Sequence, residues 1–207
     1  MRQLSNDLMP AASALLAEAF FDNPAHEFIC PDSSRRMHQL KALLGSNLRA
    51  QSDVSESFCR VSGEELDLMG FWTRIQAHGP SPMRMVLAGA AKLPFVLGIR
   101  SLRAAAFVKS EIDRDLLECV NGADGWYLNN MVVHSRLRGT GVGSSALRQE
   151  IVRLRQSDPT SIFALSTQKL ENVRFYSRIG FKSARESEIR AGSRSFRNWT
   201  MLCRRAA

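Results

Sequence analysis

Residues 126–147 read Trp-Tyr-Leu-Asn-Asn-Met-Val-Val-His-Ser-Arg-Leu-Arg-Gly-Thr-Gly-Val-Gly-Ser-Ser-Ala-Leu, and the fold turns on how they are interpreted. Trp126, Tyr127, Leu128, Met131, Val132 and Val133 favour a pleated, largely buried strand. A polar turn, His134 to Leu137, leads into a loop with glycine at 139, 141 and 143. Ala146, Leu147, Ile151 and Leu154 are then spaced as one apolar helix face. Glycines let backbone N–H groups close on an anion, and a first helical turn adds unpaired donors and the positive dipole end. The junction is therefore a candidate phosphate site. No lysine follows the glycines, which excludes a nucleotide-triphosphatase loop. Ser144 stands where a dinucleotide fingerprint needs its last glycine. The acidic strand end expected about 20 residues later is also missing, since Asp158 precedes Pro159 in a turn.

A third pattern fits. Arg138, Gly141 and Gly143 match Arg/Gln-x-x-Gly-x-Gly/Ala after a Val-Val strand, and this resembles the acyl-coenzyme A loop of the GNAT superfamily of N-acetyltransferases. For the glycines alone, a structural turn before a helix is the plain alternative. Residues 162–181 add a second match, reading as strand, polar turn, short helix and Gly-Phe. Phe175, Tyr176, Gly180 and Phe181 resemble the Phe-Tyr-x-x-x-Gly-Phe element that follows the coenzyme helix in GNAT enzymes. The resemblance covers the C-terminal half well and the region from Leu4 more loosely.

The resemblance implies an α/β fold: a mixed, mostly antiparallel sheet splayed at the central strand, with helices on both faces. It implies acetyl-coenzyme A as co-substrate. The strand edge at Met131, Val132 and Val133 would pair with pantetheine amides as an added strand does. Amides near Val132 and Val133 would donate to the oxyanion, if the strand is bulged there. The pyrophosphate would lie against the backbone of Arg138, Gly139, Thr140, Gly141, Val142, Gly143 and Ser144. Arg138 adds charge in this reading, with a plain surface arginine as the alternative. Asn172 would be a polar contact to the coenzyme, although Lys169 stands where many relatives carry a further asparagine.

Tyr176 matches the family's proton donor. A phenol with pKa about 10 can protonate a thiolate whose conjugate acid lies near about 8.5 when held within hydrogen-bond reach. The alternative is a packed aromatic beside Phe175. No base is assigned. The strand before the tyrosine helix carries Ala164, Leu165 and Ser166 where several GNAT enzymes carry glutamate. His26, Glu27, Asn129 and Asn130 stay open as groups that could take a proton or hold a water, while His38, His78 and His134 read as surface or turn residues.

Composition sets the frame. The chain has 207 residues, 44% of them hydrophobic and 23% charged, which suits one domain, residues 1–207, with a substantial core. Met1 to Met9 is polar, so no signal peptide is expected. The run Met83 to Ile99 is interrupted by Arg84, Lys92 and Pro94, and reads as buried or cleft-lining helix rather than a membrane span. Cys30, Cys59, Cys119 and Cys203 lack Cys-x-x-Cys spacing, so neither zinc nor a disulfide framework is indicated, and a cytoplasmic setting follows. The net charge of +8 comes from dispersed arginines without an aromatic-rich basic strand or a recognition helix. A solvated basic surface explains it, with part of that charge available to a phosphate-bearing coenzyme. Neither nucleic acid nor membrane is expected as a partner, and a homodimer is compatible with the reading.

Further elements are read in order. Residues 1–4 are a short first strand, and a helix runs from Asn6 to about Phe21. Residues 22–32, Asp-Asn-Pro-Ala-His-Glu-Phe-Ile-Cys-Pro-Asp, resemble an acceptor-side loop. A helix runs from Ser34 to Arg49. Val54–Val61 and Leu66–Ile75 form a hairpin, and His78 to Pro82 is a turn-rich break. Helices over roughly 83–97 and 100–119 lead to the central strand, and a late strand spans 199–204. This helical insertion resembles puromycin N-acetyltransferase-like members, which tilts the acceptor toward a small-molecule amine. Acetylation of a protein lysine or N-terminus, and a non-catalytic acyl-coenzyme A-binding module, remain as alternatives.

Overall fold

The structure is a computed structural model that describes residues 1–52, 54–76 and 80–204, with the side chain of Pro82 left aside. His78 and Gly79, read above as part of a turn, lie outside the described residues. Six strands form one sheet in the order β1-β2-β3-β4-β6-β5. They are β1 Glu56–Ser62, β2 Glu65–Arg74, β3 Gly125–Val133, β4 Ile162–Thr167, β5 Lys182–Ala191 and β6 Arg194–Cys203. All neighbouring strands are antiparallel except β3 and β4. That parallel pair is joined over only three residues, Gly125–Tyr127 against Ile162–Ala164. Beyond them the strands part, so the sheet is two halves hinged at one end.

Helices α1 Met9–Ala19, α2 Pro24–Ile29, α3 Ser33–Gln51 and α5 Leu93–Val120 cover one face, and α6 Val142–Ser157 and α7 Leu170–Ser177 the other. A short helix, α4 Pro82–Leu87, sits against α3. Period-two patterning decides which side chain goes where. On β2, Met69 and Phe71 join the α1–α3 core, while Leu68 and Trp72 join the α6 side. Trp72 of β2 meets Phe163 of β4 edge-on at 5.4 Å, reaching past β3 to tie the two halves. Both rings are fully buried, and burial of a ring of Phe size contributes about 2–3 kcal/mol. The predicted helix face of α6, Ala146, Leu147, Ile151 and Leu154, is buried.

Several expectations are corrected. The first strand is a single bridge, Arg2 with Cys59. The helix from Asn6 begins as a 3-10 turn, Asn6–Leu8, and becomes α-helical at Met9, where Pro10 can sit without needing its missing N–H. The loop after it holds helix α2, because Asn23 caps it with Oδ1 on the N–H groups of Ala25 and His26. The helices expected at 83–97 and 100–119 are instead α4 and a long α5 broken at Gly98, whose φ of 77° only glycine adopts readily. The run Met83 to Ile99, expected as buried or cleft-lining helix, is buried only at Ala88, Leu93 and Leu97, while Met83, Leu87 and Phe95 are 69%, 80% and 88% exposed. Strand β5, unforeseen, is a charged edge strand whose single fully buried side chain is Ile189.

A buried polar chain fixes α5 to the far half-sheet. The carboxylate of Asp115, 2% exposed, accepts from Asn198 Nδ2 at 3.1 Å and from Ser187 Oγ, and pairs with Arg185 Nε at 3.0 Å. Replacing Asp115 with Ala should cost about 1–3 kcal/mol, because the buried Asn198 amide is then left without its acceptor, while Arg185 keeps Glu118. Urea denaturation of the two proteins measures it.

Candidate active site

The β2–β3 ladder slips at the centre of β3. Met69 faces Val132 and Phe71 faces Asn129, so Asn130 and Met131 both oppose Gly70. This is a bulge, and Asn130 takes its left-handed position at φ 53°. Asparagine tolerates that region better than most residues. A Cβ at position 70 would lie 2.5 Å from the Phe58 ring, so only glycine leaves room on the opposing strand. The bulge that the resemblance implied near Val132 is thus centred on Asn130 and Met131.

Beyond β3 the chain makes a 3-10 turn, Ser135–Leu137, and enters the glycine loop. Gly139 and Gly141 have φ of 79° and 83°, and Gly141 caps α6 without a side-chain hydrogen bond. The first amides of α6 therefore have no partner within the helix. Gly143 has a different reason. A Cβ there would lie 2.9 Å from Val133 Cγ2 and 3.6 Å from Phe175 Cζ, so the helix start is pressed between β3 and α7. Thr140 and Ser144 turn their hydroxyls onto the carbonyls of Leu137 and Gly141. Arg138 is exposed and lays Nε on the Val133 carbonyl at 3.4 Å.

Asp67 anchors this loop from β2, a role the sequence reading missed. Its carboxylate, 1% exposed, holds Arg136 of the 3-10 turn, Arg60 at 3.2 Å and Ser62 at 2.6 Å. Its carbonyl accepts from His134 N at 2.8 Å. The only signal in sequence was an acidic residue amid an apolar strand.

Tyr176 lies on α7 against Phe175 at 5.0 Å and Phe181 at 5.8 Å. Burial pushes its phenol well above the ordinary tyrosine value, and the nearby Tyr127 adds to the shift. The group is protonated at neutral pH, and the same shift makes it a weaker acid than an ordinary tyrosine. Asn172, on the same short helix, donates from Nδ2 to Thr167 Oγ1 at 3.1 Å. Lys169 pairs with Asp22 at 2.7 Å. That hydrogen bond, then the charges of Lys169 and Arg138, keep the Asp22 carboxyl below its usual value.

The turn around α2 lies against the end of β4 and the start of α7. Arg36, 7% exposed, donates to the carbonyls of Phe21, Cys30 and Pro31 and pairs with Glu27 at 3.0 Å. One guanidinium thus shapes residues 21–31. Asn23 reaches Gln168 at 3.3 Å, and Gln168 reaches Asn198 at 2.9 Å, so this turn is strapped to the end of β4. Among the open base candidates, Glu27 is engaged by Arg36 and Asn129 donates to Gln51. His26 has Nδ1 at 3.2 Å from Asn23 Oδ1, an oxygen already accepting two backbone amides. Nδ1 therefore carries the hydrogen, and Nε2 the lone pair. Burial lowers its pKa to about 4, so the ring is neutral.

The four cysteines are free thiols, and burial pushes Cys30 up to about 11. A thiolate nucleophile is not supplied there. An open cleft of about 670 Å³ flanks the glycine loop on the side of β1, between Arg2, Cys59 and Val61 and Thr140, Val142 and Ala146. Tyr176 and Asn172 do not line it.

With this geometry in view, residues 105–200 match the family described as acetyltransferase (GNAT) domain. The whole chain superposes on the crystal structure of a histone acetyltransferase HPA2 and related acetyltransferase from Corynebacterium glutamicum. The TM-score is 0.66 at 20% identity, covering 100% of this chain and 96% of that one. Arylalkylamine N-acetyltransferase 2 of Aedes aegypti gives 0.58 at 13% identity, with 98% and 97% covered. At these identities the likeness is one of fold. In sequence the chain is 22% identical over 201 residues, 91% of its length, to a Dictyostelium discoideum protein described as "Probable serine/threonine-protein kinase". It spans about a fifth of that relative's length, 21%.

The neutral His26 makes stability depend on pH. The unfolded chain binds a proton at this imidazole near 6.5, while the folded chain binds it only near 4, so the unfolded state holds more protons in between. Stability is lost as pH falls from about 6.5 to about 4. Thermal midpoints taken across that window should fall in the parent and fall less in His26→Gln.

Proposed function

We propose that this chain, a GNAT-type acetyltransferase over residues 105–200, uses acetyl-coenzyme A to acetylate the amine of a small molecule by direct transfer. The observation that carries the reading is the parting of β3 and β4 after three paired residues, with the glycine loop following β3 and the helix that bears Tyr176 following β4. The gap gives a thioester arm a sheet edge to lie on, at Met131 to Val133. Uncapped amides at Gly141 to Ser144 suit a pyrophosphate, with Gly139 and Thr140 shaping the approach and Arg138 beside them. Asn172 steadies the arm from the helix that follows β4. Residues 1–207 act as a single domain, and the four unpaired thiols favour the cytoplasm.

In the reaction the neutral amine attacks the thioester carbonyl. An amide donor freed by the bulge at Asn130 and Met131 receives the developing oxyanion. The C–S bond then breaks, and the sulfur takes its proton from Tyr176. The amine's proton leaves through water, which Nε2 of His26 can accept as a hydrogen-bond partner. No cysteine carries the acetyl group, in keeping with the raised thiol of Cys30. The small-amine acceptor is supported by the helical insertion, α4 and α5, which resembles puromycin N-acetyltransferase-like members. It is supported further by the amine acetyltransferases among proteins of similar fold.

Replacing Tyr176 with Phe removes the proton and leaves the ring stack, so kcat should fall about 10²-fold or more while coenzyme KM holds. Steady-state kinetics on a panel of small amines and lysine peptides checks both points. An unchanged kcat removes Tyr176 as donor, turnover of peptides alone favours a protein acceptor, and no turnover at all favours a binding module.

A further inference from the structure

The run that the sequence would bury is turned outward. Met83, Val86, Leu87, Phe95 and Ile99 are 69%, 54%, 80%, 88% and 56% exposed. This is not fraying, because the inner side is bolted down. Ala88, Leu93 and Leu97 are buried, and α3 holds the backbone behind them: Arg49 Nε donates to the Ala88 carbonyl at 3.0 Å, and Gln39 Nε2 to that of Val96 at 3.4 Å. With its inner side anchored to α3, the segment is left with its large apolar side chains in solvent. Exposed apolar surface of this kind, rimmed by charge, marks an interaction site.

Charge says what kind. From residue 68 to 110 the chain has no Asp or Glu, while Arg74, Arg84, Lys92, Arg100, Arg103 and Lys109 fall within it. Lys92, Arg100 and Arg103 are exposed on the same stretch as Phe95 and Ile99. A two-fold contact with a second copy would bring these cations near their own images, with no carboxylate in the segment to answer them. A surface of lipid phosphates answers all of them, and its acyl boundary accepts the apolar tips. We infer that the outer face of α4 and the start of α5 docks on an anionic bilayer, with Leu87 and Phe95 entering the interface and Lys92, Arg100 and Arg103 meeting the phosphates. This is contact with a surface, since no helix among the described residues is long and apolar enough to cross a membrane. The expectation of no membrane partner assumed that the run was covered, and it is not. The inference stands apart from acetyl transfer.

Sedimentation of the full chain with phosphatidylcholine vesicles, with and without phosphatidylglycerol, tests it. The parent should bind the anionic vesicles, lose that binding in high salt and ignore the neutral ones. Neutralising the three cations (Lys92→Gln, Arg100→Gln, Arg103→Gln) should weaken binding on the order of a hundredfold. Leu87→Ser with Phe95→Ser should weaken it at least about tenfold. Circular dichroism of both variants should match the parent, because every altered side chain is exposed. Absence of binding to anionic vesicles overturns the proposal, as does binding that both variants leave unchanged. So does a dimer in analytical ultracentrifugation that Leu87→Ser with Phe95→Ser dissociates, which assigns the face to a second copy.

Discussion

Two parallel strands that hydrogen-bond for three residues and then separate are the constraint on which the rest of this structure depends. Where they touch, Gly125 is packed so that a Cβ would meet the Ile162 carbonyl at 2.1 Å. Where they part, neither edge is satisfied by the other, and each half-sheet needs its own support. On one side that support is the antiparallel set β1-β2-β3 with α1 and α3. On the other it is β4-β6-β5 with α7 and the C-terminal part of α5. Side-chain contacts also tie the halves: the Trp72–Phe163 and Phe28–Phe196 ring pairs, Arg194 on the Phe28 carbonyl, the Asn23–Gln168 hydrogen bond and the Asp22–Lys169 ion pair, with α5 packed against both sides.

The bulge and the loop are two answers to the same need. A strand edge that is to receive a ligand must stop pairing with its neighbour, and the extra residue at Asn130 disturbs the ladder without ending the strand. The chain must then turn sharply from strand to helix, which Gly139 and Gly141 permit by conformation and Gly143 by volume. Asp67 holds the turn before the glycine loop, and Arg36 the turn around α2, with buried charge. Such groups add little net stability on their own, but removing either partner leaves an uncompensated charge, so they specify one arrangement of a loop more than they stabilise the fold.

Much of this was legible in the chain. The apolar strand at 126–133 and the helix face at 146–154 follow from periodicities of two and 3.6 and from glycine punctuation, all of which are local, while the Gly-Phe after Tyr176 was matched through the resemblance. The α2 helix escaped because its signal, Asn23 capping a short Pro-led turn, is indistinguishable from a loop until the cap bond is seen. Strand β5 escaped because an edge strand buries almost nothing and so shows little apolar alternation. The run 83–99 misled for the opposite reason, since hydrophobicity reports a preference for burial and does not say what, if anything, provides it.

The amino-acid order by itself determined the type and sequence of most elements and the place of the glycine loop, because these rest on interactions between near neighbours, while the candidate proton donor came from the resemblance. Tertiary structure alone decided which carboxylates anchor the loops, where the bulge sits, that Glu27 is engaged by Arg36, and that an apolar segment faces outward. Each of those is settled by a contact between residues far apart in sequence, such as Asp67 with Arg136 or Asp115 with Asn198, and no local pattern of side chains encodes which distant partner arrives.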